Sequence, residues 1–402
     1  MPGVTSAARQ DRTWRTPTTL RAFGMLGALG FALVGLGAVL PVLQSELGVS
    51  PGLLAGLPTL FALWFVAVGL VGGAVLRRVG PARMLALAGA LIVAGAALAA
   101  LPAPQTVVAG LAVIGLGGAL VVVAVPATLA GAHPDRLRRA LTEANALSVC
   151  AGMAAPPAVS LAISSGLGWR AGYLAPMALL ATLGFGGWRA APPSRPRRLD
   201  ATDAAARAVV RAPHGNAPVL LAWFGVVLAV MVEFAFTLWS GVAIRDWHAT
   251  TEATAALGPL FFVGGMALGR LVSAAADRLA SPGRLVAAAA LLVVGGFAGF
   301  SSAPSVGLAF AWLVVAGLGV APLYPQTLTQ LIGASATPDA GSRWGAVASG
   351  TAITVSPQIL GRVADGVGLR WAYVLVPVLV VLLVIQQLAQ HRSEHRHTAA
   401  GH

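Results

Sequence analysis

Residues 156–173 read PPAVSLAISSGLGWRAGY, and residues 356–373 read SPQILGRVADGVGLRWAY. Aligned without a gap, Pro157, Gly166, Gly168, Arg170 and Tyr173 fall on Pro357, Gly366, Gly368, Arg370 and Tyr373, an offset of 200 in a chain of 402. Two further echoes lie at nearly the same spacing. GAVLRRVGPAR (73–83) faces SAAADRLASPGR (273–284), with Arg78 on Arg278, and GLG at 115–117 faces GLG at 317–319, followed by Pro126 and Pro325. Three matches in one order imply that half the chain is a tandem copy of the other.

The composition says where such a repeat resides. Hydrophobic residues make up 57% of the chain and charged residues only 10%, with a mean hydropathy of +0.82. Soluble domains carry about 25% charged residues, and far more charge would be needed to cover a soluble surface of this size. All 26 basic residues are arginine, in keeping with a GC-rich bacterial genome, and the formal charge is +13. The single cysteine, Cys150, excludes an intramolecular disulfide and a cysteine-based metal site. The first apolar run is too long for a signal-peptide core and reads as a retained helix.

A bilayer core takes about 20 apolar helical residues, because no backbone group there can bond to water. Twelve stretches meet that length: 21–43, 53–76, 82–101, 106–129, 138–164 and 169–188, then 218–243, 255–276, 283–301, 305–332, 344–364 and 371–389. They predict an all-α membrane protein of twelve transmembrane helices in two six-helix, pseudo-symmetric halves. The halves are residues 21–188 and 218–389. They are flanked by an N-terminal tail (1–20), a linker (189–217) and a C-terminal tail (390–402). With the N-terminus inside, the cytoplasmic segments hold 21 arginines and the outer loops three, Arg170, Arg245 and Arg370; Arg270 and Arg362 fall within spans. That bias puts both termini in the cytoplasm of a bacterial inner membrane. It also turns the positive charge into an edge facing anionic headgroups, so nucleic acid is not a partner. The first echo then covers the outer end of a fifth helix, a Gly-x-Gly turn and the start of a sixth, with Arg170, Arg370, Trp169 and Trp371 expected as headgroup anchors.

Parallel six-helix repeats with a substrate path between them are a transporter architecture. Over residues 20–390 the chain resembles the major facilitator superfamily. The family's loop after the second helix, G-x-L-a-D-R-x-G-R-R/K, has Gly73, Arg78, Gly80 and Arg83 here, with Arg77 where the family places aspartate. The second copy keeps Asp277 and Arg278 and lacks the glycines. The layout is similar to the cyanate-permease and fucose-permease branches. The family's helix-4 arginine would fall on Leu111, so that coupling device is absent, and no phosphate-binding loop is present.

Glu233 is the sharpest candidate for chemistry. It lies near the middle of the seventh span, in VVLAVMVEFAFTLWSG, where a charge costs about 2.5–3.5 kcal/mol on insertion scales. It should face the interior or a wet cavity, as a proton carrier or as a structural carboxyl between helices. Arg270, on the eighth span, is a second coupling or substrate candidate. Counting along the helices sets it roughly 10 Å from Glu233 in depth, which argues against direct pairing. Asp277, two turns on, is an alternative partner. Arg362 and Asp365, at i and i+3, predict an ion pair at the outer exit, and Glu143 with Arg77 or Arg78 predicts a cytoplasmic latch. Asn145, Asp277 and Arg278 belong to the same gating set. Trp64, Trp239, Tyr324 and Gln326 are candidate cavity residues, the last two in the proline-flanked APLYPQT, where a helix should break. The His-bearing tail (His391, His395, His397) reads as a solvated segment.

These features predict a secondary active transporter of a small organic solute, working by alternating access, with protons and the bilayer as its other partners. The first half is nearly free of polar side chains in its spans, which disfavours sugars and favours a largely apolar solute exported against protons. Uptake of a small anion or metabolite, and a non-transporting sensor of the same fold, are the competing readings. No enzyme activity, cofactor or metal is called for, and a monomer is expected.

Overall fold

The computed structural model describes residues 16–187, 217–276 and 282–399, and these contain helices and no strand. The first half holds α1 (Pro17–Leu47), α2 (Gly56–Val79), α3 (Pro81–Ala99), α4 (Pro104–Ala132), α5 (Leu137–Ser164) and α6 (Gly168–Thr182). The second holds α7 (Ala217–His248), α8 (Gly258–Ala276), α9 (Pro282–Ser302), α10 in two pieces, α10a (Val306–Val320) and α10b (Leu323–Ala334), α11 (Pro338–Val367) and α12 (Leu375–Ala399). One-turn helices, Pro51–Leu54 and Glu252–Ala255, lead into α2 and α8.

Local sequence sets these boundaries. Pro17, Pro81 and Pro104 open α1, α3 and α4 at the first turn, where a missing N–H costs nothing. Thr16 and Thr337 cap α1 and α11 with their hydroxyls. Gly48 (φ 62°) and Gly80 (φ 82°) end α1 and α2 in left-handed backbone. Among the described residues, ten helical segments are long and apolar enough to cross a membrane. Two expected spans differ. α6 has 15 residues and continues as a 3-10 turn over Leu183–Gly187. α11 has the length, 30 residues, but carries serines, threonines, Gln358 and Arg362 along it. α12 runs past the expected end at 389 to Ala399, because HRSEHRHTA contains neither proline nor glycine to stop it.

The halves are built alike. α1 packs on α4, α5 and α6, and α7 packs on α10, α11 and α12; α4 packs on α2 and α3 as α10a packs on α8 and α9. The halves meet through α1 with α7, α2 with α11, and α5 with α8. Small residues allow the first of these: Gly37 lies against the Thr237 backbone, and Gly241 against Pro41 and the Gly37 carbonyl.

The echoes prove to be packing devices. Tyr173 and Tyr373 are fully buried, and each donates its hydroxyl to the backbone of the central helix of its half, to Ala32 O at 2.9 Å and Ala235 O at 3.0 Å. In the GLG pair, Gly115 and Gly317 lie against Phe61 and Phe262 of α2 and α8. Gly117 and Gly319 lie against α3 and α9, where an added Cβ would come 2.8 Å from Ala88 O and 2.7 Å from Ala289 O. Gly168 and Gly368 adopt φ 77° and 81° at the turns. The anchors differ. Trp371 is exposed, but Trp169 is buried and donates to Glu46 at 2.7 Å, while Arg170 makes an ion pair with the same carboxylate at 2.6 Å.

Candidate functional site

The central helices locate the chamber. Between Gly225 and Ile244 every α7 residue is buried except Glu233 and Phe234. Between Gly27 and Pro41 every α1 residue is buried except Leu33 and Val34, 200 positions earlier. α1 and α7 each pack on several helices of their own half and on one another. Glu233 is the polar residue among these partly open mid-depth positions, and Leu33, its counterpart at the repeat offset, is apolar. The Thr237 hydroxyl bonds back to Glu233 O at 2.9 Å, so the helix is intact there.

Arg270 is closer to Glu233 in depth than helix counting suggested. Gly258, at the start of α8, packs on Gly241, where an added Cβ would lie 3.0 Å from the Gly241 nitrogen. From that level Glu233 is eight residues down α7 and Arg270 twelve residues down α8, about 12 and 18 Å at ~1.5 Å per residue. The remaining difference, about 6 Å, is within the reach of a long arginine side chain. The structure thus brings to similar depth two residues that the linear count had separated. The reason is that α7 extends well beyond the start of α8. Met153 of α5 approaches α8 at Gly264, bringing the first half to the same region.

The other candidates divide. Trp64 is 37% exposed and shares one α2 face with exposed Leu60, Leu63 and Val71, away from the faces that meet α4 and α11; it is on the outward stripe. Trp239 is fully buried in the second half, its indole nitrogen without a hydrogen-bond partner. α10 does break where APLYPQT predicted: Ala321 caps α10a and Pro322 caps α10b. Tyr324 and Gln326 follow in the first turn of α10b, both partly buried, with the Gln326 carbonyl oxygen shielded and unpartnered. Nearby, Gln330 and Gln387 exchange amide hydrogen bonds of 2.5 and 3.0 Å, tying α10b to α12.

At the ends of the bundle, Arg77 and Arg78 are exposed in the last turn of α2. Glu143 pairs with Arg139 of its own helix at 3.1 Å, and Asn145 bonds to Leu141 O. Asp277 and Arg278 lie outside the described residues. The expected Arg362–Asp365 ion pair is not formed. Asp365 instead crosses to the first half, where its oxygens accept the Gly52 N–H at 2.9 Å and the Ser50 hydroxyl at 3.2 Å. Gly361 lets the segment 51–55 come within reach. Among the described residues no cluster of His, Cys, Asp and Glu could hold a metal. Of the chamber residues, Phe234, Leu33 and Val34 gave no chemical signal in the sequence; only the repeat offset links them to Glu233.

The family model described as Major Facilitator Superfamily matches residues 22–356. No curated protein matches the sequence significantly. Among solved structures, a bacterial homologue of the human lysosomal transporter Spinster, inward-facing and unoccupied, superimposes with a TM-score of 0.73 at 14% identity, covering 94% of this chain and 97% of the other. A mutant of the peptide transporter POT bound to alafosfalin has a TM-score of 0.69 at 16% identity, covering 93% and 95%. A POT family transporter with 5-aminolevulinic acid has 0.69 at 13% identity, covering 93% and 96%. At such identities the likeness is one of fold. With a family match over most of its length and the duplicated six-helix architecture to go with it, the chain belongs to the major facilitator superfamily.

Proposed function

We propose that this protein exports a small, largely apolar organic solute in exchange for protons, by alternating access between its halves, with Glu233 as the coupling carboxylate. One observation carries the reading: Glu233 is the only polar residue among the partly open midsection positions of the two central helices. A carboxyl that can be reached from a chamber, surrounded by apolar side chains, can take a proton from one side and give it up to the other as the chamber changes access. Arg270, at similar depth on α8, is the cation that would favour release of the proton. The partly open midsection of α1 carries the apolar Leu33 and Val34, which suits an organic solute with few hydrogen-bonding groups. The arginine distribution orients the end carrying Gly52, Arg245 and Asp365 outward.

The test is proton movement in proteoliposomes with an imposed pH gradient, screened with apolar and weakly basic organic compounds. Solute-dependent proton flux that disappears in Glu233→Gln supports the proposal. Undiminished proton-coupled flux in that variant removes Glu233 from the mechanism, and flux with the opposite coupling direction replaces export with uptake.

A further inference from the structure

Two side chains of the second half reach across to the first at the end opposite the termini, and both take uncharged partners there. Asp365 of α11 holds the Gly52 N–H and the Ser50 hydroxyl. Arg245, at the end of α7, donates to the Gln44 amide oxygen at 2.6 Å, to the Ser45 hydroxyl at 3.1 Å and to the Pro41 carbonyl, all on the last turns of α1. Its charge is met by Asp246, its neighbour on the same helix, at 2.7 Å. Deeper along the same seam, the Thr59 hydroxyl of α2 donates to Thr354 O of α11 at 3.0 Å.

We infer that Arg245 and Asp365 form a two-point clasp that holds the outer end closed and sets the resting ratio of outward-closed to outward-open protein. The choice of partners is what makes the clasp reversible. A charge facing a neutral partner gives up less on separation than an ion pair does, and the Asp365 contacts lie at an exposed rim where water replaces them. Here, opening separates neutral acceptors and donors, which water can satisfy at once, while Arg245 keeps Asp246 in both states. Each point then has the modest net worth of ordinary hydrogen bonds, with some strengthening because one member is charged.

The repeat supplies an internal contrast. The second half has its own one-turn helix, Glu252–Ala255, packed against α5. There the residue matching Asp365 is Ser165, whose hydroxyl bonds to Ala162 O of its own helix at 3.2 Å. At the α5/α8 seam the position matching Asp365 therefore carries no acid, Glu252 standing instead on the one-turn helix itself, and the clasp is confined to the α1/α7 and α2/α11 side. Duplication made two seams, and only one of them carries this acid.

The measurement is a spin-label distance distribution across the outer end, which needs no solute and is independent of the export reading. Labels at Leu101→Cys and Leu308→Cys, exposed positions in opposite halves, are introduced with Cys150→Ser in otherwise full-length protein. Asp365→Ala and Arg245→Ala are each expected to raise the ratio of long to short distances about fivefold, the factor that follows from losing roughly one net hydrogen bond. Gln44→Ala, which alters neither charge, should shift the ratio the same way by a smaller factor and covers the case in which a charge variant fails to fold. Distributions unchanged in Asp365→Ala and Arg245→Ala overturn the proposal. A change in only one of them assigns closure to that residue and overturns the two-point form.

Discussion

The proton-carrying role proposed for Glu233 is separable from its part in packing. Replacing the residue with glutamine keeps the shape and the hydrogen-bonding capacity and removes only the proton chemistry. We expect Glu233→Gln to insert and melt like the parent protein while losing solute-dependent proton movement at least about tenfold, measured with a pH-sensitive dye in proteoliposomes. The two repeat tyrosines permit a matched pair of tests. Tyr173→Phe and Tyr373→Phe each remove a buried hydroxyl and leave one α1 or α7 carbonyl without its added donor. Each should cost about 1 kcal/mol, read as a lowered unfolding temperature in detergent, and the two losses should be similar. Glu233 was conspicuous in the sequence because any acid inside an apolar run is costly. Its environment was not conspicuous, because Leu33, Val34 and Phe234 look like every other apolar residue until burial singles them out.

Among elements, α4 and α10a illustrate what a short motif encodes. In each GLG the first glycine admits one neighbouring helix and the second admits another, so a three-residue string fixes two helix crossings. A β-branched side chain at either position has to push backbone apart. We expect Gly117→Val and Gly319→Val to lower the yield of monodisperse protein on size-exclusion chromatography, at a cost of about 1–3 kcal/mol each. Gly131→Val is the control, since an added Cβ there meets nothing. The break in α10 was readable from its prolines, which remove donors and restrict the preceding residue. The partner of Asp365 was not readable. An acid three residues from an arginine on one helix looks like an ion pair, yet the carboxylate found a backbone N–H and a hydroxyl in the other half, set more than three hundred residues earlier in the chain.

For the whole molecule, the halves meet along three helix pairs without any described strand or disulfide joining them. We propose that residues 1–200 and 201–402, expressed as separate chains in one cell, assemble. Affinity capture of one should retain the other in stoichiometric amount, and recovery of one alone would show that the connecting segment is needed for assembly. The sequence by itself determined that this is a duplicated helical membrane protein, because hydrocarbon tolerates only backbones that satisfy their own hydrogen bonds and the repeats mark where two copies keep the same packing. Tertiary structure alone decided which polar groups face one another. Depth and azimuth depend on where each helix starts and how it crosses its neighbours, so the similar depth of Arg270 and Glu233 and the reach of Arg245 and Asp365 into the first half could only be seen once the bundles were assembled.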